Sequence, residues 1–263
     1  MTRIDQRFTE LKRHGGKAFI PYITAGDPTL EITRDLILAL DKINVDVIEL
    51  GVPFSDPIAD GPVIQRATER ALANHVTLRD VLQLVKEVRK QTQVPLLIMS
   101  YLNPLLSYGL DKLASDAAAC GLDGVLTSDL TVEESDHFIS VMKAAGLNTV
   151  FLAAPTSSPA RIERIASSST GFVYAVARTG VTGEQQELSA DLGQFLRTLR
   201  KRTNSPIAVG FGISHPDHVR AVCREADGAI VGSAIVREIE RNIGRPDLVA
   251  RVAAFTNWIR GDK

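Results

Sequence analysis

The sequence predicts an α/β protein: a closed (β/α)8 barrel with an extra helix before the first strand and extra helices after strands two and eight, residues 1–263 forming one domain. Three observations predict it. Short runs rich in β-branched residues alternate along the whole chain with segments of helical period. The stretches Asn44–Gly51, Gly121–Asp129 and Glu225–Ser233 each place an aspartate just before a strand and a polar residue or glycine just after it, as duplicated units would. No G-x-G-x-x-G follows an early strand, which weakens the alternative of an open dinucleotide-binding sheet.

The elements follow in order. Ile4, Phe8 and Leu11, with charges between them, predict a short amphipathic helix, a plug for the barrel floor. Ala18–Thr24 reads as strand one and Thr29–Ile43 as a helix. Strand two is Val45–Leu50, followed by helices at Pro62–Ala73 and Leu78–Gln91. Strand three is Pro95–Met99, then a loop at Tyr101–Ser107 and a helix at Leu110–Cys120. Strand four is Gly124–Thr127, followed by a helix at Val132–Ala145 with Glu133 and Glu134 in the first turn, where the helix dipole favours acids. Strand five is Thr149–Ala153 and its helix Pro159–Ser167; strand six is Gly171–Val176. Arg178–Leu192 carries few structure-forming signals and reads as a lid, with a helix at Asp191–Arg202. Pro206–Val209, a helix at Pro216–Cys223, Gly228–Val231, and helices at Ser233–Ile243 and Asp247–Ile259 complete the pattern.

Composition narrows the function. Hydrophobic residues at 44% with 23% charged supply an ordinary core and argue against disorder. A net charge of −1 offers no broad basic field, so a small molecule is favoured over nucleic acid. No segment has about 18 uninterrupted apolar residues, so no membrane span is expected. Cys120 and Cys223 lie in helical contexts far apart and read as small apolar residues, which fits a reducing cytoplasm. The histidines have no zinc-site spacing, and His215 with His218 reads as a helix start; no metal is expected.

Two acids stand out in Val45–Gln65. Glu49 sits inside an apolar strand, where a carboxylate is costly unless paired or shifted in pKa; it is either half of a buried ion pair or a general acid/base. Asp60 lies in a loop stiffened by Pro53 and Pro57, and either caps the helix that starts at Pro62 or works in the site; Asp56 competes with it.

The run Glu49–Gln65, E-L-G-V-P-F-S-D-P-I-A-D-G-P-V-I-Q, resembles the signature of the tryptophan synthase α subunit family. The likeness extends from Phe19 to about Ile239, through Asp27-Pro28, Ser100–Pro104, Val132–Ser135 and Arg178–Gly183. It departs at Thr131, where proline is usual, and at Ala177, where serine is usual. The resemblance implies a lyase that splits indole-3-glycerol phosphate into indole and glyceraldehyde 3-phosphate, with Glu49 as acid/base, Asp60 on the indole N–H and Tyr174 in support. It implies no cofactor for this reaction. It also implies a PLP-dependent β subunit as partner in an α2β2 assembly.

Barrel active sites lie at the C-terminal strand ends. Backbone amides of Gly183, Gly212, Gly232 and Ser233, the last at a helix start, can converge on a phosphate. Tyr22, Tyr101, Leu126, Leu152, Tyr174, Phe211 and Ile230 are the candidates for a ring pocket if the barrel register holds, and are otherwise core. Two alternatives stay open: another phosphosugar enzyme such as an isomerase, or a mainly allosteric subunit with little turnover.

Overall fold

Parallel pairing organises the chain, whose computed structural model describes residues 1–176, 190–210 and 212–261. The strands are β1 (Ala18–Thr24), β2 (Ile48–Gly51), β3 (Leu96–Ser100), β4 (Gly124–Thr127), β5 (Asn148–Val150), β6 (Leu152–Ala153), β7 (Val173–Val176), β8 (Ile207–Gly210) and β9 (Gly228–Val231). They form one sheet in the order β5-β4-β3-β2-β1-β9-β8-β7-β6. The fifth strand expected from the sequence is broken at Phe151, whose N–H turns to Ser169 Oγ (3.3 Å) while its carbonyl still accepts from Tyr174 (3.2 Å). Its first half pairs with β4 and its second with β7, so eight staves close into a TIM barrel.

The helices α1 (Arg3–His14) and α2 (Leu30–Lys42) flank β1. Two helices, α3 (Pro62–Ala73) and α4 (Leu78–Val88), follow β2, as expected. Two also follow β3: α5 (Leu102–Tyr108) and α6 (Leu110–Cys120). The expected loop at Tyr101–Ser107 is thus mostly helix; Pro104 falls in the first turn, where a missing N–H breaks no helical bond. The helix expected at Val132–Ala145 is divided into a 3-10 turn (Val132–Glu134) and α7 (Asp136–Ala144), with buried Ser135 turning its hydroxyl back to the Val132 carbonyl at 2.9 Å. Then come α8 (Pro159–Ser168), α9 (Ala190–Arg200), α10 (Pro216–Glu225), α11 (Ser233–Asn242) and α12 (Leu248–Arg260). His215 caps α10 through Nδ1, as its reading as a helix start requires.

Side chains alternate across the barrel wall. Ile23, Ile48, Leu50, Ile98 and Val125 face outward into a core shared with Leu36, Leu40, Val85 and Ile235 of the helices. Each such side chain contributes about 1.5–3 kcal/mol when fully buried. Ile20, Val47, Leu97, Leu126, Val150 and Ile230 face inward and pack with Ile4, Phe8 and Leu11 of α1. The Phe8 and Phe172 rings stand 5.6 Å apart, so α1 plugs the floor as its periodicity predicts.

The recurrent aspartates tie neighbouring staves at that floor. Asp46 accepts Phe19 N–H (2.7 Å), Asp123 accepts Leu96 N–H (2.9 Å) and Asp227 accepts Ile207 N–H (2.9 Å). Each is also paired with arginine: Asp46 with Arg7, Asp123 with Arg3 and Arg89, Asp227 with Arg200. The opposite rim is left to the site.

Candidate active site

Glu49 points into the barrel, because its neighbours Ile48 and Leu50 belong to the outer core and Val47 to the inner one. It is 1% exposed, and neither carboxylate oxygen has a hydrogen-bond partner among the described residues. Among the described residues no cation pairs with it, so the buried ion pair is not what holds this acid in the strand. Burial first, and the Asp60 charge second, push its pKa up to about 8.

Asp60 is held at the end of the loop after β2, with its N–H on the Pro57 carbonyl (3.1 Å) and its own carbonyl accepting from Gln65 Nε2 (2.9 Å). The cap of α3 is Gly61, with no side-chain bond, so Asp60 does not cap. Burial pushes its pKa up, and the Tyr101 hydroxyl beside it pulls it down. Tyr101 also accepts Ala59 N–H (3.0 Å), and its ring packs on Phe54 at 5.2 Å. Asp56 is exposed and bonded to Ser55 Oγ at 2.5 Å, away from this arrangement.

Two phenols complete the charged centre. Tyr22 is the register partner of Glu49, and its hydroxyl meets Thr24 Oγ1 at 3.3 Å. Tyr174 pairs with Leu152 on one side and Ala208 on the other. Burial raises both phenols' pKa values, and the charges of Glu49 and Asp60 raise them further, so both keep their protons. Each hydroxyl lies across a strand-end glycine. A Cβ on Gly51 would sit 2.0 Å from the Tyr22 oxygen, and one on Gly210 would sit 2.4 Å from that of Tyr174. Thr24, Gly51 and Gly210 were not singled out by the sequence; the only signal for the glycines was their place at strand ends.

The remaining candidates fall on the same rim or beneath it. Gly232 precedes α11, no side chain caps that helix, and Ser233 opens it half-buried. Gly212 has φ +66, open to residues without a Cβ. Leu126 and Ile230 lie in the inner cluster, with Leu152 and Tyr174 packed on it from above, so they form the base of the cup. Gly183, Phe211, Ala177 and the expected lid up to residue 189 lie outside the described residues. Thr131 begins the 3-10 turn, its hydroxyl 3.4 Å from Glu134. Among the described residues no group of three or more His, Cys, Asp or Glu is placed to hold a metal.

A (β/α)8 barrel with two electrostatically coupled carboxylates and two neutral phenols at its C-terminal rim defines an enzyme of the acid/base class. The model of the tryptophan synthase alpha chain family matches residues 8–258. A tryptophan synthase alpha chain from Solibacter usitatus is 52% identical over 260 residues, covering 99% of this chain and 97% of that one. A crystal structure of tryptophan synthase subunit alpha from Legionella pneumophila superposes with a TM-score of 0.92 at 38% identity, covering 99% and 97%. A structure of the tryptophan synthase α2β2 complex from Pyrococcus furiosus gives 0.87 at 39%, covering 93% and 98%. The chain belongs to the tryptophan synthase alpha chain family, and it is a lyase of the alpha reaction.

Proposed function

We propose that the alpha reaction, retro-aldol cleavage of indole-3-glycerol phosphate to indole and glyceraldehyde 3-phosphate, is carried out here by Glu49 and Asp60. The observation that carries this reading is Glu49 itself: buried, without a hydrogen-bond partner among the described residues, and with a pKa of about 8, so that it holds a proton at neutral pH. That proton goes to C3 of the indole ring. Asp60 accepts the ring N–H and balances the cation that results. The Glu49 carboxylate then takes the proton of the hydroxyl on the adjoining carbon. As that carbon becomes the aldehyde, its bond to C3 breaks and the electrons return to the ring. Tyr174, neutral beside Glu49, supports the transfer.

In this reading Gly183, Gly212, Gly232 and Ser233 hold the phosphate. The uncapped start of α11 supports them with free amides and the positive end of its dipole. Tyr22, Tyr101, Leu126, Leu152, Phe211 and Ile230 hold the ring. The whole chain, 1–263, acts as one barrel domain, and none of these steps draws on a cofactor. A PLP-dependent β subunit in an α2β2 assembly is the proposed partner. Its docking face is the loop after β2 together with α5, where Leu106 is 52% exposed and Ile58, 86% exposed, lines a cleft of about 270 Å³. No described helix is long and apolar enough to cross a membrane, and the protein is proposed to work in the cytoplasm.

The test is release of indole from indole-3-glycerol phosphate. Glu49→Gln is expected to lower kcat by about 10²–10⁴-fold, and Asp60→Asn to lower kcat/KM strongly with the fold intact; wild-type rates in either would remove that residue from its role. The pH profile carries a sign. Activity needs protonated Glu49, so kcat/KM falls as pH rises through about 8. Asp60→Asn removes the charge that helps raise this pKa, so the falling limb moves to lower pH.

A further inference from the structure

Glu49 and Asp60 stand on one side of the rim and the start of α11 on another, and a substrate that spans them needs a fixed separation. The two helices that leave those points, α3 after Asp60 and α11 after Gly232, run side by side: Val63 and Ala67 of α3 and Val236 of α11 share one apolar cluster with Tyr22. One turn further on, a web of charge joins them. Arg66 grips Glu240 with Nε and Nη2, both at 2.8 Å, and Arg70 Nη1 reaches the same carboxylate at 2.9 Å. The other edge of the Arg70 guanidinium holds Asp27 with two bonds of 2.7 and 2.9 Å. Asp27 follows the end of β1, and its side chain is 0% exposed. Asn74 adds a bond from α3 to the Pro28 carbonyl at 2.7 Å.

We infer that Arg70, with Glu240 and Arg66, is a positioning device for the alpha reaction: it sets the distance between the acid/base end of the site and the phosphate end. None of these side chains reaches the reacting atoms. They act through the helices on which Asp60 and Ser233 depend, with Tyr22 as the spacer and the ion pairs as the strap. Arginine suits this task because its planar fork serves two carboxylates at once in fixed geometry. The Arg70 pairs are half-buried, so salt screens them less than a surface pair, whereas the Arg66 pair is exposed. The inference rests on the functional reading above, which places the phosphate at α11.

A ligand that spans the site feels the separation, and one that occupies a single end does not. The test compares binding of a propyl phosphate bearing an indole ring with binding of glycerol 3-phosphate in the full-length protein. The variants are Glu240→Gln, Glu240→Ala and Arg70→Lys, each checked by thermal melting. Glu240 is on the outer side of the strap, so its replacement leaves Asp27 paired with Arg70. The expected result is about a tenfold loss for the spanning ligand, less than about twofold for glycerol 3-phosphate, and a matching loss in kcat/KM for the full substrate. Arg70→Lys, which keeps the charge and loses the fork, should fall between wild type and Glu240→Ala. Equal losses for both ligands, or no loss for either, would overturn the strap and leave the functional reading intact. A wild-type chain that binds the spanning ligand no better than glycerol 3-phosphate would overturn both.

Discussion

Gly51 and Gly210 act at the site through the side chains they lack. With the Tyr22 oxygen 2.0 Å from where a Cβ on Gly51 would lie, even alanine there has to move the ring that pairs with Glu49. Gly51→Ala is therefore expected to lower kcat/KM by about tenfold or more while the protein stays folded, and Tyr22→Leu in the same chain should recover part of it by giving back room. A Gly51→Ala enzyme with unaltered kinetics would show that Tyr22 has no fixed place. Both carboxylates were legible before any coordinates existed, because an acid in an apolar strand and another in a proline-stiffened loop violate local rules. The glycine contacts were not, since they depend on the register between neighbouring strands, which sets Tyr22 two positions below the partner of Gly51 and Tyr174 two below the partner of Gly210. Nor could spacing alone decide whether Asp60 caps the helix that follows; that needed the cap to be seen on Gly61.

Among the elements, the aspartate that precedes three of the strands was visible as a repeat, and its meaning only became clear from the ties it makes between staves. Asp123, buried like Asp46, has two arginine partners, one of them, Arg89, with a side chain 8% exposed. Burial pulls the Arg89 pKa down to about 10, against the pull of Asp123. Asp123→Ala strands that guanidinium and leaves Leu96 N–H without its acceptor. A loss of about 3–5 kcal/mol is expected for breaking such a pair, seen as a fall in Tm on the order of 10 °C. Replacing Glu133, whose ion pair with Arg161 is exposed on both sides, should leave Tm where it is. The elements the sequence misjudged have separate causes. In α5 a proline hid a helix because its position in the first turn could not be told from the letters, and in the fifth strand a distant serine, Ser169, took the amide that the ladder would have used.

At the scale of the molecule, a neutral acid in the barrel makes stability depend on pH. Glu49 has a folded pKa of about 8 against 4.5 for an ordinary glutamate, so the folded chain holds this proton more tightly than the unfolded chain. The stability that this proton confers is complete below about pH 4.5 and is lost as pH rises through about 8. Glu49→Gln removes the titration. Its Tm should exceed that of the wild type at about pH 9 and draw level toward about pH 5; parallel melting curves across that range would mean that Glu49 is already ionised in the folded protein. The plug formed by α1 has a different consequence. Among the described residues, Ile4, Phe8 and Leu11 stopper one end of the cylinder and leave the opposite rim as the way in. A ligand that enters by that doorway has to turn back at the stopper.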